Sequence, residues 1–203
     1  MDILVYICPE MGYKYNKEAI LNIGFDVFRR NGYHNVGINQ ILKESGIPKG
    51  SFYNFFESKE DFAQQVIQNY GKGNCKWIKA QLEAFEGSAL GALKSFYTTL
   101  IAMNEEDKYA GGCLVNNMSM EVGRINDTLG AEANEQFVSW LQVIAAVITK
   151  GQEEGLITDE FTALELAEYL HAGFYGALSR SKVTRNRVYM DSWYRMTFEF
   201  IQA

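Results

Sequence analysis

The sequence predicts an all-α fold. Apolar residues recur at helical spacing along most of the chain, and no alternating β pattern or Asn-Gly hairpin signal interrupts them. Only two prolines occur in 203 residues, Pro9 and Pro48, so nothing after Pro48 forbids long helices. The apolar fraction is 47% and the charged fraction is 22%. These values are typical of a globular chain that can bury a sizeable core.

Three short helices are predicted in the first third of the chain. The first lies between Asn16, a helix cap, and Gly32, a helix terminator, with apolar residues at positions 20, 23, 24, 27 and 28. The second covers 38–45 and is closed by Gly46, and the third follows Pro48 and covers 49–55. Three side chains in and after this third helix are too apolar to be exposed together, so at least two should anchor it: Phe52, Phe55 and Phe56.

Longer helices are predicted after this region. Ser58 and Asp61 form a capping box that opens a helix to roughly Phe85, in which Gly71 and Gly73 are weak points. Further helices are predicted at roughly 88–103, 112–128, 132–154, 160–184 and 187–202, with breaks at Gly87, 105–112, Gly130 and Gly155. The pattern thus divides the chain into a three-helix domain at 12–60 and a larger helical domain at 61–203. Residues 1–11 are either an upstream extension or an arm that packs on the domain.

The segment 36–56 has the layout of a helix-turn-helix, a motif whose second helix enters the major groove of DNA. The side chains at the start of that helix suit this task. Lys49 can reach a guanine edge or a phosphate, and Gly50 allows close approach of the backbone. Ser51, Tyr53 and Asn54 can donate hydrogen bonds to phosphates or bases.

Charge is distributed unevenly along the chain. The net charge is −6, but residues 12–59 carry seven basic side chains against four acidic ones. A mildly basic end on an acidic body favours a protein that contacts a polyanion with one end only.

The number and spacing of the cysteines and histidines argue against a metal-binding protein and against a disulfide-linked one. The three cysteines are widely spaced and form no CxxC pair, and the chain has only two histidines. We therefore expect no zinc site, no disulfide framework and no cofactor, and a reducing cytoplasmic location. An enzyme that uses Cys113 or His171 is not supported, because the sequence offers no Cys–His spacing, carboxylate pair, Gly-rich phosphate loop or metal cluster.

The stretch NKEAILNIGFDVFRRNGYHNVGINQILKESGIPKGSFYNFFESKEDF resembles the DNA-binding domain of TetR-family repressors over about residues 14–66. The matching positions are Phe28, Gly32, Tyr33, Ile41, Gly46, Ile47, Lys49, Gly50, Phe52, Tyr53, Phe55, Phe56, Ser58, Lys59 and Glu60. The resemblance implies a homodimer that binds a palindromic double-stranded DNA operator and is released by a small-molecule effector. No membrane partner is expected.

The resemblance also implies roles for single residues. Tyr53 and Lys59 would contact phosphates, while Lys49, Ser51 and Asn54 would face the groove. The chain departs from the family where a hydroxyl residue usually opens the second helix, because Val36 and Gly37 stand there instead. That phosphate contact is either lost or falls to the Gly37 amide at the helix N-terminus. A second departure is Pro48 in the turn, where serine is commoner.

The resemblance places the dimer interface on the last two helices. Two apolar stripes there are candidates for it: Leu166, Leu170, Phe174, Ala177 and Leu178 on one helix, and Met190, Trp193, Tyr194, Thr197, Phe198 and Ile201 on the other. Gly173 and Gly176 allow close helix approach. The same stripes are equally compatible with an ordinary core.

Aromatic and sulfur-containing side chains on the central helices indicate an effector cavity for a neutral or weakly polar ligand. The candidates are Trp77, Phe96, Tyr97, Met103, Met118, Phe137, Trp140, Phe174 and Tyr175. Each is also explained by core packing. Polar contacts could come from Asn116, Asn117, Glu121 and His171, although His171 reads better as a satisfied core histidine.

Cys113 is a candidate sensor thiol. The step Gly112-Cys113-Leu114 opens a predicted helix and resembles a TetR subgroup that includes regulators of reactive-electrophile responses. A helix N-terminus favours the thiolate, which is the reactive form. Two hypotheses follow for the effector: a mainly apolar or electrophilic molecule bound in the cavity, or oxidation or alkylation of Cys113. The alternative is a small buried core residue.

Overall fold

The computed structural model describes residues 15–203, and within them the fold is all-α with nine helices. Their bounds are α1 Lys17–Asn31, α2 Ile38–Ser45, α3 Lys49–Tyr53, α4 Lys59–Glu83, α5 Ala89–Glu106, α6 Leu114–Val122, α7 Asp127–Glu153, α8 Ala163–Thr184 and α9 Val188–Phe200. The predicted extension or arm at residues 1–11 lies outside the described part. No helix in 15–203 is long and apolar enough to cross a membrane.

The predicted caps are confirmed. The Asn16 side chain accepts the Glu18 and Ala19 amides at the start of α1, and Gly32 ends that helix with φ +76°. At the start of α4 the Ser58 hydroxyl accepts the Asp61 amide at 3.0 Å, and the Asp61 carboxylate accepts the Glu57 amide at 2.9 Å. Side chains therefore satisfy amides that a helix start leaves without partners.

The predicted break at Gly130 is wrong, because Gly130 lies inside α7. The real break is the turn between Val122 and Asp127, where the Asn126 side chain accepts the Leu129 amide at 2.9 Å and caps α7. A Cβ on Gly130 would lie 2.7 Å from the Gly123 carbonyl oxygen. The glycine serves close approach to the preceding turn, which the sequence pattern could not distinguish from a helix end.

The described residues form two compact units. The head unit comprises residues 15–71 and 113–134, and the body unit comprises 72–112 and 135–203. Helix α6, which the sequence pattern groups with the larger domain, thus belongs to the compact unit that holds α1–α3. The functional division at residue 60 stays a prediction.

The core of the head unit is aromatic. Phe28, Phe52, Phe56 and Phe62 are all at most 1% exposed, and the ring centroids of Phe56 and Phe62 are 4.7 Å apart. Gly24 of α1 allows this packing, since a Cβ there would lie 2.4 Å from Phe62 Cζ. The expectation that at least two phenylalanines anchor α3 is confirmed by Phe52 and Phe56.

Helices α8 and α9 pack on one another in the body unit. Trp193 of α9 lies against Gly173 of α8, where a Cβ would be 2.4 Å from the indole Nε1. The capping box Thr162/Glu165 opens α8. Most members of the two predicted interface stripes are buried here inside one protomer, among them Leu166, Leu170, Phe174, Leu178, Met190, Thr197, Phe198 and Ile201. Those eight side chains are therefore core of the body unit.

Candidate nucleic-acid interface and effector site

Helix α3 exposes one polar face. Lys49, Gly50, Tyr53 and Asn54 are exposed, and Ser51 is half-buried, while Phe52 is fully buried on the opposite side. The helix begins after Pro48, whose φ is −64°, and it ends at Tyr53, two residues before the predicted end. Buried aromatic packing on one side therefore holds the polar groups of α3 towards solvent.

Glycine occupies positions 46 and 50 of this surface for different physical reasons. Gly46 closes α2 with φ +65°, a left-handed conformation that favours glycine. Gly50 is helical, and a Cβ there would meet nothing within 4 Å. The fold of the chain thus does not require glycine at position 50. A partner surface that packs closely against position 50 from outside would require glycine there.

The predicted N-terminus of α2 is also open. Gly37 is its N-cap with φ −93°, is exposed, and makes no side-chain cap bond, whereas Val36 is completely buried. At the two positions where the chain departs from the family pattern, Val36 is thus a core residue and Gly37 offers an accessible backbone amide.

Lys59, at the start of α4, is held against an aromatic ring. Its Nζ lies 4.0 Å from the centroid of the Tyr33 ring, a cation–π distance. Partial burial lowers the pKa of Lys59, and the nearby Glu121 carboxylate opposes that shift. The ammonium group is therefore constrained in place.

Glu121 of α6 has a role that the sequence did not reveal. Its carboxylate accepts the backbone amides of Tyr33 and His34, at 2.8 Å and 2.7 Å. The hypothesis that Glu121 supplies a polar contact to a ligand stays a prediction, and each of its two oxygens already accepts a backbone amide. Tyr33 and His34 lie 88 and 87 residues from Glu121 in the sequence, so no local pattern could predict these two hydrogen bonds.

The predicted effector residues fall into two groups. Nine belong to the body unit: Trp77, Phe96, Tyr97, Met103, Phe137, Trp140, His171, Phe174 and Tyr175. The other three, Cys113, Asn117 and Met118, belong to the head unit. Met103 is 49% exposed and stands apart from the buried aromatic side chains, whereas Met118 is buried.

Most of the body-unit residues form one connected aromatic cluster. Ring centroids lie 4.6 Å apart for His171 and Tyr175, 5.3 Å for His171 and Phe137, and 5.6 Å for Tyr97 and Phe174. Trp193, which the sequence assigned to the dimer stripe, joins this cluster at 5.0 Å from Tyr97.

Three polar atoms of this cluster are buried without a hydrogen-bond partner among residues 15–203: Tyr97 Oη, His171 Nε2 and Trp193 Nε1. Burial raises the pKa of Tyr97, so its hydroxyl stays protonated, and burial lowers the pKa of His171 to about 4. The cluster therefore holds donors and a neutral imidazole at neutral pH. The expectation of a satisfied core histidine does not hold for Nε2.

The pKa of His171 predicts a pH-dependent stability. Because the folded pKa lies below the ordinary 6.5, the unfolded chain binds the proton more readily between pH 6.5 and 4. The free energy of unfolding should therefore be fully retained above pH 6.5 and fall, by at most about 3 kcal/mol, as the pH drops to 4. Denaturant unfolding of wild type and His171→Phe across this range checks it. Parallel pH profiles for the two proteins would contradict the assignment.

Cys113 is the N-cap of α6 and is half-buried in the head unit. The Tyr70 hydroxyl donates to its Sγ at 3.7 Å. Burial raises the pKa of the Tyr70 phenol well above its ordinary value, and the adjacent Cys113 raises it further. The phenol thus remains a hydrogen-bond donor towards the sulfur.

Comparison with known proteins supports this layout. The family model described as "Bacterial regulatory proteins, tetR family" matches residues 20–66, and one described as "Tetracyclin repressor-like, C-terminal domain" matches residues 89–197. The "HTH-type transcriptional repressor DhaR" of Mycobacterium sp. is 32% identical over 183 residues, which cover 90% of each chain. This chain belongs to the TetR family of transcriptional regulators.

Other relatives agree with that membership. The E. coli "HTH-type transcriptional repressor NemR" is 23% identical, with 84% of this chain and 85% of NemR covered. The crystal structure of a TetR regulatory protein from Rhodobacter sphaeroides superposes with a TM-score of 0.83 at 25% identity, covering 91% of this chain and 97% of that one. Regulators of this TetR family bind operator DNA, act as dimers and are not enzymes. The predicted family, fold class and non-enzymatic role are confirmed.

Proposed function

We propose that this TetR-family regulator is a cytoplasmic, homodimeric repressor that binds a palindromic operator through α3 and is released by a small effector. The observation that carries the DNA-binding part is the polar, exposed face of α3 backed by the buried Phe52 and Phe56. Lys49, Ser51 and Asn54 would meet base edges in the major groove. A further set would contact phosphates: Tyr53, Lys59 and the Gly37 amide.

Replacing Lys59 with alanine tests the phosphate contact. We expect weaker binding to all DNA sequences and a plot of log affinity against log salt whose slope is smaller by about one unit. Fluorescence anisotropy with operator and random duplexes at several salt concentrations measures both. Lys79→Ala is the matched control, because Lys79 lies on the same helix in the body unit and pairs with Glu83 in solvent. A slope unchanged from the wild type would overturn the contact.

The dimer interface proposed for α8 and α9 rests on side chains other than the predicted stripes. Six apolar residues on these helices are exposed on the single chain: Leu164, Tyr169, Val183, Val188, Met196 and Phe200. Val183 is 80% exposed and Met196 is 61% exposed, so both helices offer apolar surface that a partner subunit would cover. A two-fold pairing of these helices would present two α3 helices to one palindrome.

For the effector we propose an uncharged, mainly apolar molecule that carries at least one hydrogen-bond acceptor. The aromatic cluster around Tyr97, His171 and Phe174 offers apolar contacts, and the Tyr97 hydroxyl and the Trp193 N–H are donors without partners among the described residues. Leaving such donors buried and unpaired costs about 1–3 kcal/mol each, so a carbonyl-type oxygen would bind favourably. The rings of this cluster and its neutral imidazole favour an uncharged effector.

A second candidate trigger is covalent modification of Cys113 by an electrophile or oxidant. The specific observation is the Tyr70 hydrogen bond to a half-buried thiol at the N-cap of α6. The related NemR has been crystallised in a form described as reduced. Alkylation of Sγ would place a bulky group beside the Tyr70 hydroxyl at the start of α6 and so disturb this hydrogen bond.

Cys113→Ser separates the two triggers. If the thiol is the trigger, N-ethylmaleimide should release wild-type protein from the operator and leave the serine variant bound. The Cys75→Ser variant, which lacks the thiol of the body unit, should still be released from the operator by N-ethylmaleimide. Release of the Cys113→Ser variant at the wild-type reagent concentration would exclude Cys113 as the trigger. Gel shifts with mass spectrometry of the adduct give both readouts.

A further inference from the structure

The head unit holds its α1–α2 loop with a carboxylate from a distant part of the chain. Glu121 Oε2 accepts the Tyr33 amide at 2.8 Å, and Glu121 Oε1 accepts the His34 amide at 2.7 Å. Two consecutive backbone amides thus bind one side chain in a bidentate manner. Charge-assisted hydrogen bonds of this kind are about twice as strong as neutral ones.

Gly32 is shaped to admit this carboxylate. Its φ of +76° lies in the region that favours glycine, and a Cβ at this position would be 2.8 Å from Glu121 Oε2. The loop backbone therefore takes a conformation that points the next two amides at Glu121 and leaves room for its oxygens. The close fit makes the contact a specific feature of the head unit.

The same loop residue supports the proposed phosphate-binding lysine. The Tyr33 amide is fixed by Glu121, and the Tyr33 ring lies under Lys59 Nζ at 4.0 Å from its centroid. The negative charge of Glu121 also opposes the lowering of the Lys59 pKa that burial causes. Glu121 therefore helps to fix the place of Lys59 without needing to touch DNA.

We propose that Glu121 is a positioning residue for DNA binding: it holds Tyr33, and through the Tyr33 ring it holds Lys59 where a phosphate can reach it. The proposal rests on the proposed function, because it requires the Lys59 phosphate contact. Glu121 lies near the C-terminal end of the helix that Cys113 begins. Any change that displaces α6 would therefore withdraw the carboxylate from the loop and weaken the hold on Lys59.

The direction in which DNA affinity changes when Glu121 is replaced distinguishes the positioning role from a long-range effect of its negative charge. Glu121 is an acidic group in the DNA-binding unit, and removing an acid from such a surface strengthens binding to a polyanion when only long-range electrostatics acts. The positioning role predicts the opposite. Glu121→Gln keeps the size of the side chain but presents an NH₂ group where one amide needs an acceptor.

The experiment combines Glu121→Gln and Lys59→Ala in a double-mutant cycle of DNA binding. We expect Glu121→Gln to weaken binding about tenfold at low salt and to lower the salt slope by about one unit. We also expect the Lys59→Ala change to have little further effect in the Glu121→Gln background, because residues that act through one contact are not additive. Glu83→Gln, an exposed glutamate of the body unit, controls for the change in net charge.

Hydrogen exchange and a second variant keep the outcomes separable. The Tyr33 and His34 amides should exchange faster in Glu121→Gln than in wild type, and thermal unfolding shows whether the head unit is folded. If Glu121→Gln does not fold, Glu121→Asp, which keeps the charge on a shorter side chain, replaces it in the cycle. Unchanged or tighter binding, or additive effects, would overturn the proposal. If Lys59→Ala alone left the slope unchanged, the proposed phosphate contact would fail first, and the positioning role would fall with it even if amide exchange rose.

Discussion

Phe62→Ala is expected to lower the free energy of unfolding of the head unit by about 3–5 kcal/mol. Phe62 is completely buried, and its ring packs against the rings of Phe28, Phe52 and Phe56 with centroids 5.7, 5.5 and 4.7 Å away. It thereby connects α1, the α3 region and α4. The loss is comparable to the whole stability of a small unit, so DNA binding should disappear at 37 °C.

In calorimetry of Phe62→Ala, the head unit should unfold at a lower temperature than in the wild type. The body unit should unfold at the wild-type temperature. Phe85→Ala is the matched control, because it removes the same side chain at a position that is 38% exposed. If the two variants unfolded at the same temperature, the aromatic cluster would not be the centre of the head-unit core.

Gly50→Leu is expected to reduce operator affinity by about a hundredfold while leaving the fold intact. A Cβ at position 50 would meet no protein atom within 4 Å, and leucine favours a helix by somewhat less than about 1 kcal/mol relative to glycine. The variant should therefore be at least as stable as the wild type. The loss of affinity comes from a bulky group on the surface that the major groove approaches, and anisotropy titrations together with denaturant unfolding measure the two effects.

Gly46→Ala is the contrasting control. Its Cβ also meets nothing, but its φ of +65° makes a side chain strained by about 1–2 kcal/mol. Stability should fall in this variant, with little direct effect on DNA affinity in the folded protein. A Gly50→Leu protein that binds the operator like the wild type would show that α3 does not enter the groove at this position.

Local sequence patterns predicted much of the head unit. The caps at Asn16 and Ser58, the glycine ends of α1 and α2, and the anchoring by Phe52 and Phe56 all depend on residues a few positions apart. The Glu121 contact could not be predicted in this way, because it joins residues almost ninety positions apart. Its only local signal is Gly32, which indicates an unusual backbone but not what binds it.

Apolar stripes were less informative in the body unit. A stripe such as Leu166, Leu170 and Phe174 has the same spacing whether it packs on another helix of the same chain or on a partner, so periodicity cannot assign it. The structure buries this stripe within the protomer and leaves others, such as Val183 and Met196, exposed. In the same way, Met103 and Phe96 lie on one helix, but only Phe96 is buried.

The most direct test of the central claim is a binding selection from a pool of random DNA duplexes with the wild-type protein, run beside the Gly50→Leu variant. We predict that the wild type enriches one inverted repeat, with two half-sites centred about one helical turn apart or a multiple of it, and that the variant does not. A folded wild-type dimer that enriches no sequence at low salt, or a variant that enriches the same repeat equally well, would contradict operator recognition through α3.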